Sequence, residues 1–225
     1  MSDETEEQKK LMRQIDISCV QAFHTMDEID AMVELAKKYR LAAVFTLPAF
    51  SAHVAERLQD TREIHAGGVP GGGDTTGQKK RQAKELWEAG CREIDMVMNL
   101  TAFRSHEFSY VKEELLAIRE QVPSAIFKVI IEAPQLTEQE ICQAVDLCVK
   151  GRADYVKTST GWYPGCPSTV EQVRIMSREA AGRIQIKAAG GIRSLETIQE
   201  MQKAGCSRFG MGMRSVQNLI KSIYK

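Results

Sequence analysis

The sequence predicts an α/β fold, a single-domain (β/α)8 TIM barrel, on three observations. Short apolar runs and longer helical patterns alternate eight times along the chain. The runs are nearly continuous in apolar character, as in parallel strands covered by helices. A third feature is a recurring junction, EAGCREIDM, VKGRADYVK and KAGCSRFGM, in which a helix ends, glycine turns the chain and a strand starts a few residues later. Glycine suits the left-handed conformation after a helix C-terminus. Eight units favour closure, and 225 residues leave little room for insertions in a fold that usually takes about 250. The alternative is an open doubly wound sheet, whose first strand leads into a glycine-rich phosphate loop, yet IDISCVQAFH contains no glycine.

The strands are read in order as IDISCV (15–20), AAVFT (42–46), EIHAGGVP (63–70), EIDMVMNL (93–100), FKVIIEA (127–133), YVKTST (155–160), IQIKAAG (184–190) and RFGMGM (208–213). Helices are expected over 26–39, 51–58, 78–89, 107–121, 138–150, 169–180, 195–204 and 215–223. Thr25 with Glu28, Thr137 with Glu140 and Ser168 with Glu171 have the spacing of capping boxes. No linker interrupts the pattern, so a polar N-terminal segment, 1–12, precedes one domain, 13–225.

Hydrophobic residues make up 43% of the chain, enough for a sizeable core. Thirty basic and thirty acidic residues balance, so no electrostatic footprint points to nucleic acid or a membrane surface. The polar N-terminus and the lack of an apolar run of about 18 residues point to a soluble, cytoplasmic protein without a membrane partner. Six cysteines contain no C-x-x-C pair and read as reduced. Four isolated histidines show no metal-ligand spacing, and no metal is expected. VPGGGDTTGQKK lacks the lysine position of a Walker loop and reads as a βα loop at the barrel mouth.

Side chains alternate along a strand, so parity sorts each run into a helix-facing and an interior set. The interior sets hold Asp16 and Ser18; Glu93, Asp95, Val97 and Asn99; Lys128, Ile130 and Glu132; Lys157 and Ser159; Gln185 and Lys187. Five strands thus aim charge at one interior. Burying an ion unpaired costs several kcal/mol, so Lys128, Lys157 and Lys187 are expected to be matched by Asp16, Asp95 and Glu132. An ion network that merely fills the barrel is the alternative, but barrel interiors are normally packed with branched apolar residues.

Clustered lysines suggest amine chemistry. An amine is a nucleophile only when unprotonated, and from about 10.4 its pKa must fall roughly three units, or about 4 kcal/mol, to reach neutrality. Desolvation and a neighbouring ammonium both act that way, and Lys157 and Lys187 lie on consecutive strands. The last three strands run into glycine, at Gly161, at Gly190 and Gly191, and at Gly210 and Gly212. Bare backbone N–H groups followed by helix N-termini hold phosphate in barrels of this class, although ordinary tight βα turns also use glycine. Arg193, just beyond, is a possible anion partner or a solvated helix-start residue.

EIDMV, FKVIIE, DYVKTSTG and IKAAGGIRSLE, with VPGGGDTTGQK and AGCSRFGMG, resemble the deoxyribose-phosphate aldolase family in order from about Asp16 to Met213. The resemblance implies a class I aldolase needing no cofactor or metal, because a protonated lysine imine is the electron sink. It implies Lys157 as the Schiff-base residue, Lys187 as the group lowering its pKa, and Asp95 as a proton relay through water. Lys128 and Asp16 would bind substrate hydroxyls or support the charges, and Ser18, Thr158, Gly161, Gly190, Gly191, Gly210 and Gly212 complete the expected substrate contacts. The implied substrate is a sugar phosphate or aldehyde, and a homodimer is expected. A barrel that binds a metabolite without catalysis is the alternative from another class. Where the family has Gly-x-Ser-Ser, this chain reads Gly210-Met211-Gly212-Met213, without the two hydroxyls. Ser18 replaces a common threonine, Phe45 stands where some members carry cysteine in the pocket wall, and WYPGCPST follows Gly161.

Overall fold

Eight parallel strands pair in chain order, and the last closes on the first: β1 (Ile15–Cys19), β2 (Ala43–Thr46), β3 (His65–Gly68), β4 (Glu93–Val97), β5 (Ile126–Ile130), β6 (Tyr155–Lys157), β7 (Gln185–Ala189) and β8 (Arg208–Gly212). This computed structural model describes residues 5–61, 63–163 and 165–224; the first four residues of the polar N-terminal segment and Pro164 of WYPGCPST lie outside them. The helices are α1 (Glu6–Met12), α2 (Met26–Tyr39), α3 (Pro48–Arg57), α4 (Thr76–Glu88), α5 (Leu100–Arg104), α6 (Phe108–Gln121), α7 (Glu138–Lys150), α8 (Val170–Ala180), α9 (Leu195–Lys203) and α10 (Met213–Ile223), with a 3-10 turn at Ala133–Gln135.

Parity governs the packing. Ile17, Ile94, Met96, Phe127, Val129, Val156 and Ile186 face outward into the main core beneath the helices. Inside the barrel lies a second, smaller apolar cluster, Ala43, Phe45, Val69, Val97 and Ile130, with Val20 and Trp162 against it. The expected charged set occupies the rest of the interior.

Several strand ends come earlier than their apolar runs suggest. EIDMVMNL leaves the sheet after Val97 because Asn99 accepts a hydrogen bond from the Ala102 amide and caps α5, a helix the sequence reading did not contain. Residues 6–12, counted in the polar N-terminal segment, form α1 behind a Thr5–Gln8 capping box. Of the three capping boxes expected, Thr25–Glu28 and Thr137–Glu140 form. The third is displaced by one residue: Thr169 and Gln172 cap α8, because the Ser168 hydroxyl donates to Ala189 O at 2.5 Å and to Thr158 Oγ1 at 2.8 Å.

The recurring glycine junction has two causes. Gly90 and Gly205 have φ of 101° and 103°, the left-handed conformation expected. Gly151 does not; Arg152 takes the positive φ of 58° instead. Glycine is needed at 151 because a Cβ there would sit 2.5 Å from Leu115 Cβ, so close packing of α7 on α6 sets that residue.

Candidate active site

β6 ends on Lys157, which places its amine at the C-terminal mouth of the barrel, where the catalytic face of this fold lies. A cavity of about 570 Å3 opens there, with Lys157 and Lys187 on its floor. Lys157 Nζ donates to Asp95 Oδ2 at 2.8 Å, and Lys187 Nζ donates to the same oxygen at 2.5 Å. Lys128 Nζ takes the other oxygen, Asp95 Oδ1, at 2.8 Å and also pairs with Glu93.

Burial raises the Asp95 carboxyl, but the ammonium groups of Lys128, Lys157 and Lys187 outweigh it and hold the acid well below the usual carboxylate range. For Lys128 burial favours the neutral amine, and Asp95, Glu93 and Asp16 overcome that, so it stays charged. Lys187 goes the other way. Burial and the neighbouring cations Lys157 and Lys128 push it down to about 8 against the pull of Asp16 and Asp95.

The matching anions differ from the expected set in one place. Glu132 follows the end of β5 in the left-handed conformation, φ 54°, which turns its carboxylate away from the lysines. It accepts from Ser159 Oγ at 2.5 Å, Thr160 Oγ1 at 2.7 Å and the Thr160 amide at 3.2 Å. Glu93 fills the vacated role, at the interior position parity gave it. Arg208, which the sequence reading overlooked, completes the cluster: its Nε donates to Asp16 Oδ1 at 2.6 Å and its Nη2 to Glu93 Oε1 at 2.9 Å. The signal was available, because Arg208 shares parity with Gly210, where a Cβ would point at Lys187 Cε from 3.2 Å. With Arg208, four basic side chains face Asp16, Glu93 and Asp95. Neutralising one amine relieves that excess.

Asp16 Oδ2 lies 2.5 Å from Lys187 Nζ without the alignment of a hydrogen bond. Among the described residues it is the one buried side-chain polar atom lacking a hydrogen-bond partner.

The other expected residues divide three ways. Asp16, Ser18, Gly161, Gly190, Gly191, Gly210 and Gly212 line the cavity with the two lysines. Asp95 and Lys128 are fully buried beneath it. Thr158 faces away: its hydroxyl donates to Ala189 O at 2.9 Å and accepts from the Ala189 amide at 2.9 Å, tying β6 to β7. Gly161, Gly190 and Gly191 all have positive φ, and a Cβ on Gly191 would strike Pro167 at 2.5 Å.

Where two serines were missed, Gly212 caps α10 without a side chain, leaving the first-turn amides of that helix uncapped beside the cavity. Arg193, Arg214 and Ser215 line the same side, and neither arginine forms a salt bridge among the described residues. The lining also includes apolar Val20, Val69 and Trp162, whose indole donates to Val20 O at 3.0 Å and ties the loop after β6 to the loop after β1. Among the described residues no group of three or more His, Cys, Asp or Glu could hold a metal ion, and no helix is long and apolar enough to cross a membrane.

Residues 2–220 match the model of the DeoC/LacD family aldolases. The chain is 37% identical over 219 residues to a deoxyribose-phosphate aldolase of Klebsiella pneumoniae, covering 95% of this chain and 88% of that one. With the deoxyribose-phosphate aldolase of Aquifex aeolicus the identity is 38%, over 87% of this chain and 89% of the other. The deoxyribose phosphate aldolase of Aeropyrum pernix, described as tetrameric, superposes with a TM-score of 0.87 at 25% identity, covering 99% of this chain and 94% of that one.

Proposed function

This chain belongs to the DeoC/LacD family of aldolases, and from that premise we propose that it cleaves 2-deoxy-D-ribose 5-phosphate reversibly to D-glyceraldehyde 3-phosphate and acetaldehyde. The observation that carries the reading is the amine of Lys157 on the cavity floor, sharing Asp95 Oδ2 with a second lysine that burial has pushed down to about 8.

The Lys157 amine attacks the C1 aldehyde of the sugar phosphate, and loss of water gives a protonated imine. Deprotonation of the C3 hydroxyl then lets the C2–C3 bond break, its electron pair moving into the imine to leave an enamine and releasing glyceraldehyde 3-phosphate. Protonation of the enamine at C2 and hydrolysis return acetaldehyde and the free amine. Lys187 stands beside Lys157 on the shared Asp95 oxygen, and Asp95 relays protons through water. Asp16 Oδ2, a buried acceptor without a hydrogen-bond partner, takes a substrate hydroxyl. The phosphate is held by the backbone at Gly161, Gly190 and Gly191, the α10 N-terminus, and Arg193 and Arg214.

Borohydride reduction in the presence of acetaldehyde, followed by peptide mass mapping, is expected to label Lys157, and the absence of label there overturns the mechanism. Loss of the serines on the α10 side favours a second reading, the same chemistry on an unphosphorylated or differently phosphorylated aldehyde. Turnover of 2-deoxyribose as fast as its 5-phosphate would support that reading in place of the first. The proposal places the enzyme in the cytoplasm as a homodimer, which light scattering of the purified protein checks for assembly.

A further inference from the structure

The three interior lysines meet one aromatic ring. Lys187 Nζ lies over the Phe45 ring, 4.3 Å from its centroid; Lys128 Nζ is 4.6 Å away and Lys157 Nζ 6.0 Å. Phe45 is buried on β2 and borders the cavity. Room for the ring is built into the neighbouring strand, where Phe45 pairs in register with Gly67: a Cβ on Gly67 would come within 2.3 Å of Phe45 Cε1. The apolar cluster holding Phe45 is separate from the main core and lies inside the barrel beside the charged layer.

The face of an aromatic ring carries negative potential and attracts a cation within about 6 Å of its centroid, most strongly where water is excluded. A neutral amine gains much less from the same contact, so the ring favours the protonated form.

We propose that Phe45 is a positioning residue for this reaction: the face of its ring keeps Lys187 in the ammonium form beside Lys157. The inference rests on the Schiff-base reading, in which Lys157 is the nucleophile and Lys187 the neighbour that shares Asp95 Oδ2 with it. The other groups facing Lys187 are Asp16 from β1 and Asp95 from β4, which favour its charge, and Lys128 from β5 and Lys157 from β6, which oppose it. Arg208 on β8 is its register partner and is engaged by Asp16 and Glu93; the Cys206 thiol before β8 is pushed up to about 12 by burial and stays neutral. Burial and two neighbouring cations thus oppose two carboxylates, and the ring adds to the carboxylates' side.

The test compares the wild-type enzyme, Phe45→Leu, and the full chain carrying pentafluorophenylalanine at 45, a ring of similar shape whose face is no longer negative. Two quantities are followed against pH: the NMR titration of the lysine side-chain Cε of Lys187 without substrate, and the rate of borohydride trapping of acetaldehyde. The Lys187 titration is expected to move down by about half to one pH unit in both altered proteins, and the alkaline limb of trapping with it. An unmoved titration in the fluorinated protein, with a uniform loss of rate at every pH, would show that Phe45 only fills space and would overturn the proposal. The NMR readout does not depend on the reaction, so failure of wild-type trapping at Lys157 counts against the aldolase mechanism and not against the ring. If Phe45→Leu does not fold, the fluorinated protein decides.

Discussion

Lys157 and Lys187 share one acceptor: both amines donate to Asp95 Oδ2, at 2.8 and 2.5 Å. Asp95→Asn keeps the shape but removes the charge that three buried lysines depend on. Breaking a buried pair in this way costs about 3–5 kcal/mol. Denaturant unfolding is expected to show that loss. Loss of the proton relay proposed for Asp95 is expected to lower kcat by about 100-fold or more. A variant of wild-type stability would show that the lysines are neutralised elsewhere.

Arg208 pairs with Asp16 and Glu93 from the last strand. Burial raises the Glu93 carboxyl, but Lys128, the hydrogen bond from His65 and Arg208 outweigh it and hold Glu93 well below its ordinary value. A carboxylate depressed in the folded state contributes stability that is complete above its unfolded pKa of about 4.3 and is lost as pH falls through the folded value. Arg208→Met brings the folded value up, so the loss begins at higher pH. Acid unfolding followed by circular dichroism is expected to shift its midpoint upward by about one pH unit; an unchanged midpoint would assign the depression of Glu93 to Lys128 and His65 without Arg208.

Arg214 lines the cavity beside the uncapped start of α10. A charge-assisted contact with phosphate is worth about 1.5–3 kcal/mol. Arg214→Ala is therefore expected to raise KM for 2-deoxyribose 5-phosphate by about tenfold or more and to leave KM for 2-deoxyribose unchanged. Equal changes for both substrates would move the phosphate elsewhere in the cavity.

Glu132 holds the segment that follows Lys157. Its carboxylate takes three donors from Ser159 and Thr160, and Thr160 Oγ1 in turn accepts from the Trp162 amide at 3.0 Å. Glu132→Gln replaces one acceptor oxygen with an amide nitrogen facing donors, a loss of about 1–3 kcal/mol. Thermal unfolding measures that cost. Acetaldehyde trapping at Lys157 is expected to survive while KM for the sugar phosphate rises, because Thr160, Gly161 and Trp162 border the cavity. Loss of trapping together with KM would mean that Glu132 orients the lysine itself.

Strand parity carried much of the interior layer, because period-two alternation is a local property. It put Asp16, Asp95, Lys128, Lys157 and Lys187 on one side, and they meet there. It misassigned Glu132 because parity holds only while the chain stays extended, and the strand stops at Ile130. Arg208 was missed for a different reason: a strand written RFGMGM looks like a glycine-rich phosphate turn, and its leading arginine resembles a solvated strand start. Partner identities across the barrel, such as Arg208 with Glu93, 115 residues apart, depend on closure and not on any window of sequence. The contact of Phe45 with the lysines was equally invisible, since at position 45 the residue type gives size but not what its face touches.

Arg208 also bridges the seam where the barrel closes, reaching Asp16 on the first strand from the eighth. A final strand docked a residue out of step leaves Asp16 and Glu93 without their guanidinium, with Lys187 and Lys128 still beside them. The ion pair of Asp16 with Arg208 thus belongs both to the interior layer of charge and to the seam that closes the barrel.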